Sequence, residues 1–249
     1  VTALLAIAAT AAAVRDKEVI ELRAGNLVLV GRGDFAPEAL PKYHNAPIIL
    51  HGAGHVSMVN GELPPVLEKI EAEFDRHGAL DTTGIGVCTT SKLRATTVAT
   101  ARRVCHDAIV GEGVGRGIVK FPEQAPFPVS SPLTLFNGPK EHGFYTVIGH
   151  GYLDVPVPTT YVVPIVIERI HNGVYGYRIK VEIPPIAGGY GIPISAKGKV
   201  GRKWTYKGER HSFLNARCES GHLQAHGIFT FKDSTSLSGT VLKLCKVRE

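Results

Sequence analysis

The stretch FYTVIGHGYLDVPVPTTYVVPIVIERIHNGVYGYRIKVEI, Phe144–Ile183, decides the fold class. Three runs rich in Val, Ile and Tyr are separated by Asp-Val-Pro-Val-Pro and His-Asn-Gly, residues that punctuate strands rather than helices. The rhythm continues to the C-terminus at intervals of about ten residues, the spacing of a β-sandwich. Four more strands are expected over Ile192–Val200, Lys203–Cys218, Leu223–Phe231 and Leu237–Leu244, after Phe144–Leu153, Tyr161–Ile170 and Tyr175–Ile183. Together they make residues 138–249 a seven-strand sandwich part. The expected class is all-β, an antiparallel β-sandwich of immunoglobulin-like or similar kind.

Working back along the chain, residues 47–137 form a first β-rich part, which can share one domain with the second. PIILHGAGHVSMV is one strand candidate there. Leu67–Asp75 alternates apolar Ile70, Ala72 and Phe74 with acidic Glu71, Glu73 and Asp75, a period of two; a helix is the rival reading. The one short helix is expected at Thr97–Cys105, with Thr97 as its cap and Arg102, Arg103 and His106 suited to its C-terminal dipole. GEGVGRGIVKF then places Gly111, Gly113, Gly115 and Gly117 on one strand face and leaves it bare, so that another backbone can approach. The G-x-G-x-x-G spacing of a dinucleotide site is not met. The Pro-rich Pro122–Pro132 reads as a linker or a crossover, and residues 14–46 as an N-terminal arm.

Residues 1–13, VTALLAIAATAAA, carry no charge and end in an A-x-A site before Arg15, Asp16, Lys17 and Glu18. The pattern predicts the apolar region and cleavage site of a truncated signal peptide, too short for the about 20 apolar residues of a membrane span. A secreted, extracellular or wall-associated protein without a transmembrane segment is expected. In that setting four cysteines read as two disulfides, and of three possible pairings sequence order favours Cys88–Cys105 and Cys218–Cys245. A zinc site is disfavoured by the wide spacings.

The segments FPEQAPFPV…LTLFNG, the Gly-x-Gly strand after HDAIVG, and ARCESGHLQAHGIFTFKDSTSLSGTVLKLCKV resemble a group of exported, roughly 250-residue proteins of high-GC Gram-positive bacteria. The resemblance spans about Gly25 to Val247 and implies export and the two Cys pairs. No activity comes with it.

Charge is uneven. The chain nets +6, yet residues 195–249 alone hold eleven Lys and Arg against four acids. Their densest part, AKGKVGRKWTYKGER, offers Lys197, Lys199, Arg202, Lys203, Lys207 and Arg210 as an anion-binding face, with Trp204 and Tyr206 turned toward the core. For an exported chain the partner is an anionic envelope polymer or glycan before nucleic acid. The expected function is therefore a non-catalytic secreted protein that binds or decorates the cell envelope. The alternative is an exported, glycan-directed hydrolase using Glu71, Glu73 and Asp75, whose spacing of about 7 Å along one strand face suits a carboxylate pair, or a His site. His51 and His55 are the candidate metal ligands, but four residues of strand span about 13 Å, too far for one ion. No cofactor is expected. The tripeptide Arg32-Gly33-Asp34 matches a cell-adhesion motif that recurs by chance and carries no weight.

One geometric consequence follows from the cysteines. In a flat three-stranded meander, Cys218 and Cys245 would lie two strand spacings apart, about 9.6 Å, whereas a disulfide tolerates Cα separations only to about 7 Å. One of the last strands must therefore leave the sheet, while Lys232-Asp233-Ser234 still turns a hairpin. Non-reducing mass mapping should recover peptides joining Cys88 to Cys105 and Cys218 to Cys245; free thiols or a cross-pairing would refute the assignment.

Overall fold

Alternation of apolar and polar side chains over nearly the whole chain builds strands, and Gly or Pro ends most of them. The computed structural model describes residues 18–248; the signal-peptide reading of residues 1–13 lies outside them. The N-terminal third holds β1 (Val19–Ala24), β2 (Leu27–Ala36), β3 (Ala39–Pro41), β4 (Ala46–Pro47), β5 (Ile49–Met58), β6 (Leu67–Asp75) and β7 (Gly78–Leu80). Two short helices follow, α1 (Thr90–Leu93) and α2 (Val98–Val104). The middle contains β8 (Ile109–Val119), β9 (Phe127–Asn137), β10 (Tyr145–Leu153), β11 (Thr159–Asn172), β12 (Tyr175–Glu182) and β13 (Gly191–Val200). The remainder is β14 (Lys203–Tyr206), β15 (Glu209–Ser212), β16 (Leu214–Ala216), β17 (His222–Phe231), β18 (Ser236–Leu244) and β19 (Lys246–Arg248).

The all-β, antiparallel class is as expected. The pairing, however, does not divide into two facing sheets. Twelve strands form one sheet in the order β1-β2-β5-β13-β8-β9-β10-β11-β12-β6-β17-β18, which curls until its ends nearly meet, giving a barrel-like body. The described part of the expected arm 14–46, from Glu18 on, supplies β1 and β2 of this sheet, and β13 inserts between β5 and β8. The two β-rich parts are thus interleaved in one body. Pro122–Pro132 is neither linker nor crossover: it covers the β8–β9 turn and the start of β9. Pro128 is tolerated there because β9 pairs with β10 only from Leu133 onward, so a missing N–H loses no ladder bond on that side.

Curling depends on the bare face of β8. A Cβ added at Gly111 would lie 2.6 Å from the Lys199 carbonyl oxygen, and one at Gly117 2.8 Å from that of Ile192; at Gly113 the Lys197 carbonyl is nearer still. The backbone that approaches is the neighbouring strand β13 itself, bent tightly against β8. At the seam the terminal strands meet by side chains. A Cβ on Gly33 of β2 would fall 2.9 Å from Val241 Cγ2 of β18, and one on Gly239 2.7 Å from Leu22 Cδ2 of β1. Leu27, Leu29 and Val56 from one side bury against Leu67, Phe231 and Leu237 from the other. Above them Lys243, largely buried, pairs with Glu18 and with Glu38 at 3.0 Å. These carboxylates hold its ammonium charged well above the ordinary lysine range.

The helix prediction is met by α2: Thr97 caps it, accepting a hydrogen bond from the Thr100 N–H at 3.3 Å. Cys88–Cys105, with Cα atoms 5.6 Å apart, ties the helices into a cluster of Leu93, Ala101 and Ala108 on Phe136 and Ile148. His150 is buried beneath them, its Nε2 donating to the Thr96 carbonyl at 3.1 Å.

The expected strand Lys203–Cys218 is three short ones. Lys207 and Gly208, at φ of 49° and 85°, turn β14 back along β15, and β16 then leaves to pair with β4 and β7. That departure is the one the bridge demands. Cys218 reaches Cys245 at a Cα distance of 6.0 Å across the open end of the β17–β18 hairpin. At its closed end Phe231 N–H bonds Thr235 O at 2.9 Å around Lys232-Asp233-Ser234.

Two outcomes test this account. Gly113→Val should destabilise the fold by roughly 1–3 kcal/mol or more, as overpacking does, read as a fall in the urea midpoint, whereas Gly52→Val, which meets open space, should change it little. Burial holds the His150 imidazole below its ordinary range. Because the folded value is the lower one, stability is fully present above the unfolded value of about 6.5 and is lost as pH falls through the folded value. His150→Gln should flatten the decline of the thermal midpoint between pH 7.5 and 5; an unchanged decline would refute the assignment.

Candidate functional site

Directly paired residues of neighbouring strands project to the same side of a sheet. Across β2, β5, β13, β8 and β9 this rule assembles three rows on one face: Asp34, His51, Lys199, Glu112, Thr134; then Arg32, Ala53, Lys197, Val114, Pro132; then Val30, His55, Ser195, Arg116, Ser130. The two intervening rows, Gly33, Gly52, Gly198, Gly113, Leu133 and Gly31, Gly54, Ala196, Gly115, Ser131, project to the other side of the sheet and are mostly glycine. An open cavity of about 600 Å³ lies here, walled by Arg32, Asp34, His51, Glu112, Lys197 and Lys199 and by Arg102 of α2. A smaller one of about 220 Å³ adjoins it and shares Arg32, Ala53, Val114 and Lys197.

The electrostatics favour anions. Glu112 is held by Lys199 at 3.0 Å and by Arg102 at 3.4 Å, and the Lys199 ammonium, with Arg102 behind it, keeps its carboxyl below the usual range. That leaves Asp34 as the only other acid in the larger cavity, against Arg32 and Lys197.

Of the six basic residues expected from sequence, Lys197 and Lys199 line this groove. Arg202 does not; its guanidinium donates to the carbonyls of His106, Asp107 and Ile109 at 3.0, 2.7 and 3.1 Å and fastens the start of β8. Lys203, Lys207 and Arg210 belong to the β14–β15 hairpin, outside the groove lining. Of the two aromatics expected in the core, Trp204 packs, donating to the Thr83 carbonyl at 2.9 Å and stacking on His211, whereas Tyr206, lying against Gly84, is exposed. His211 in turn meets Asp81 at 2.7 Å; burial pushes that carboxyl up, but bonds from Thr83 and His211 outweigh it and hold it low.

The residues that sequence reasoning passed over are Arg32, Arg102, Asp34, Glu112 and Arg116. Arg32 and Asp34 belong to the Arg-Gly-Asp tripeptide, and their alternation with Gly33 and Phe35 is the signal that puts them on one strand face. His51 and His55 sit on the same face two rows apart, opposite Lys199 and Ser195. Among the described residues no three His, Cys, Asp or Glu groups gather as a metal site.

The carboxylates of the hydrolase alternative lie elsewhere, on β6. Glu73 accepts two bonds from the Arg178 guanidinium, at 2.9 and 2.5 Å, and one from Asn172. Glu71 is bonded by Lys69, which lowers its pKa, and Asp75 sits 2.8 Å from His77 Nδ1. A general acid needs a raised pKa; Glu71 is shifted the other way, and Glu73 is fastened by a guanidinium. No protein-family model, curated protein or solved structure matches the chain.

Proposed function

We propose that this is a non-catalytic exported protein that binds an anionic polymer or glycan of the cell envelope in the groove over β2, β5, β13, β8 and β9. One observation carries the reading: three strands far apart in sequence, β2, β8 and β13, bring Arg32, Arg116, Lys197 and Lys199 around adjoining open cavities, while one of the two acids is already neutralised. An elongated, shallow, cation-rimmed surface suits a chain-like polyanion, which can make several weak charge-assisted bonds at once. Two disulfides suit an oxidising compartment. The basic residues of the β14–β15 hairpin extend the same sign of charge without lining the groove.

The reading predicts that the protein binds at least one of poly(glycerol phosphate) and polygalacturonate and ignores neutral dextran. Raising NaCl from 50 to 500 mM should weaken binding by roughly tenfold or more, because exposed charges are screened over a few ångströms at high salt. Lys197→Gln with Lys199→Gln should weaken it similarly. Binding of dextran, indifference to salt, or no binding of either polyanion would refute the proposal.

A further inference from the structure

The smaller cavity differs in kind from the larger. Its walls carry Arg32, Arg116 and Lys197, with His55 and the Ser195 hydroxyl between them, and no acid. The register sets their arrangement. Arg32 and Lys197 flank Ala53 from β2 and β13, so their Cα atoms stand about two strand spacings, roughly 10 Å, apart. Arg116 pairs with Ser195, one row along, about 7 Å away in the strand direction. Three cations thus approach one patch from three sides over a floor of Ala53, Gly54 and Val114. Among the described residues, Lys197 and Arg116 have no ion-pair partner, and Arg32 has only Glu18, at 3.6 Å with most of its side chain in solvent.

Geometry separates the anions that could use this. A carboxylate is planar, and its two oxygens suit one guanidinium fork. A phosphate is tetrahedral and presents oxygens in several directions, so cations on three different strands can each bond it. The larger cavity has the complementary character. Ala53, Val114 and Pro132 offer small apolar surface, and Asp34, His51 and Glu112 offer acceptors for hydroxyl groups at its rim.

We infer that the groove takes a phosphorylated carbohydrate, with the phosphate in the acid-free cavity among Arg32, Arg116 and Lys197 and the sugar across Ala53 and Val114. This rests on the anionic-polymer reading above and narrows its ligand class. Glucose 6-phosphate, glucuronate, glucose and inorganic phosphate, titrated against the intact disulfide-bonded protein, separate the two. Glucose 6-phosphate should bind at least tenfold more tightly than glucuronate and more tightly than inorganic phosphate. Arg116→Gln with Lys197→Gln should remove that preference, whereas Lys203→Gln on the hairpin should leave it intact. An unchanged circular dichroism spectrum and thermal midpoint certify each variant as folded; should the double variant fail this check, Arg116→Gln alone, which removes one of the three cations, is to weaken glucose 6-phosphate more than glucuronate. Equal affinity for glucuronate and glucose 6-phosphate would overturn the phosphate assignment and leave the groove reading standing. Equal affinity for inorganic phosphate would overturn the sugar subsite. Failure of poly(glycerol phosphate) and polygalacturonate to bind would overturn both readings.

Discussion

Main chain pressed on main chain between β8 and β13 is the constraint on which the architecture depends. Strands with side chains at 111, 113 and 117 would hold β13 away, and a sheet of twelve strands would open outward instead of rolling up. Because it does roll, β2 comes round to β18. The seam is then made by apolar packing and one buried ammonium among carboxylates rather than by a ladder. Such a buried charge is favourable only while its partners are present, so Lys243 makes closure conditional on Glu18 and Glu38 being in place.

The same register that clears one face for close approach stocks the other with charge. Glycine on alternate positions of β2, β5 and β8, with Ala196 and Gly198 on β13, leaves Arg32, Asp34, His51, Glu112, Arg116, Lys197 and Lys199 on the remaining ones. Fold and candidate site are therefore two readings of one alternation. The β14–β16 segment, by contrast, contributes structure: Phe213 and Trp204 pack with Val110 and Val147, and Arg202 gathers three carbonyls.

Much of this was legible in the chain. Period-two alternation locates β6, β10 to β13, β17 and β18 to within a few residues, because most are bounded by Gly, Pro, Asn or Asp. Sequence order identified the cysteine pairs, and the reach of a disulfide showed that a strand had to depart after Lys203. Which strands neighbour which was not legible. The insertion of β13 between β5 and β8 depends on glycines far apart in the sequence meeting in one row, and nothing local records that meeting. For the same reason the contiguous run Lys197–Arg210 does not account for the basic face: Arg32 and Arg116 are two of the acid-free cavity's three cations. The Lys207-Gly208 turn is a weak local signal, because Phe213 and Leu214 resume an apolar pattern soon after it.

The seam between β1 and β18 has a kinetic side. In a closed barrel every strand is held by hydrogen bonds on both edges, and opening any one requires breaking a ladder. Here the outermost strands overlap without pairing to each other, so separating them exposes apolar side chains but leaves the rest of the sheet intact. β1, bonded to β2 alone, is thus a part of the sheet able to exchange its amide protons in small excursions, ahead of global unfolding. Overlap also shields the edge groups of β1 and β18 from other chains, a protection against edge-to-edge association that lasts only while the flap stays down.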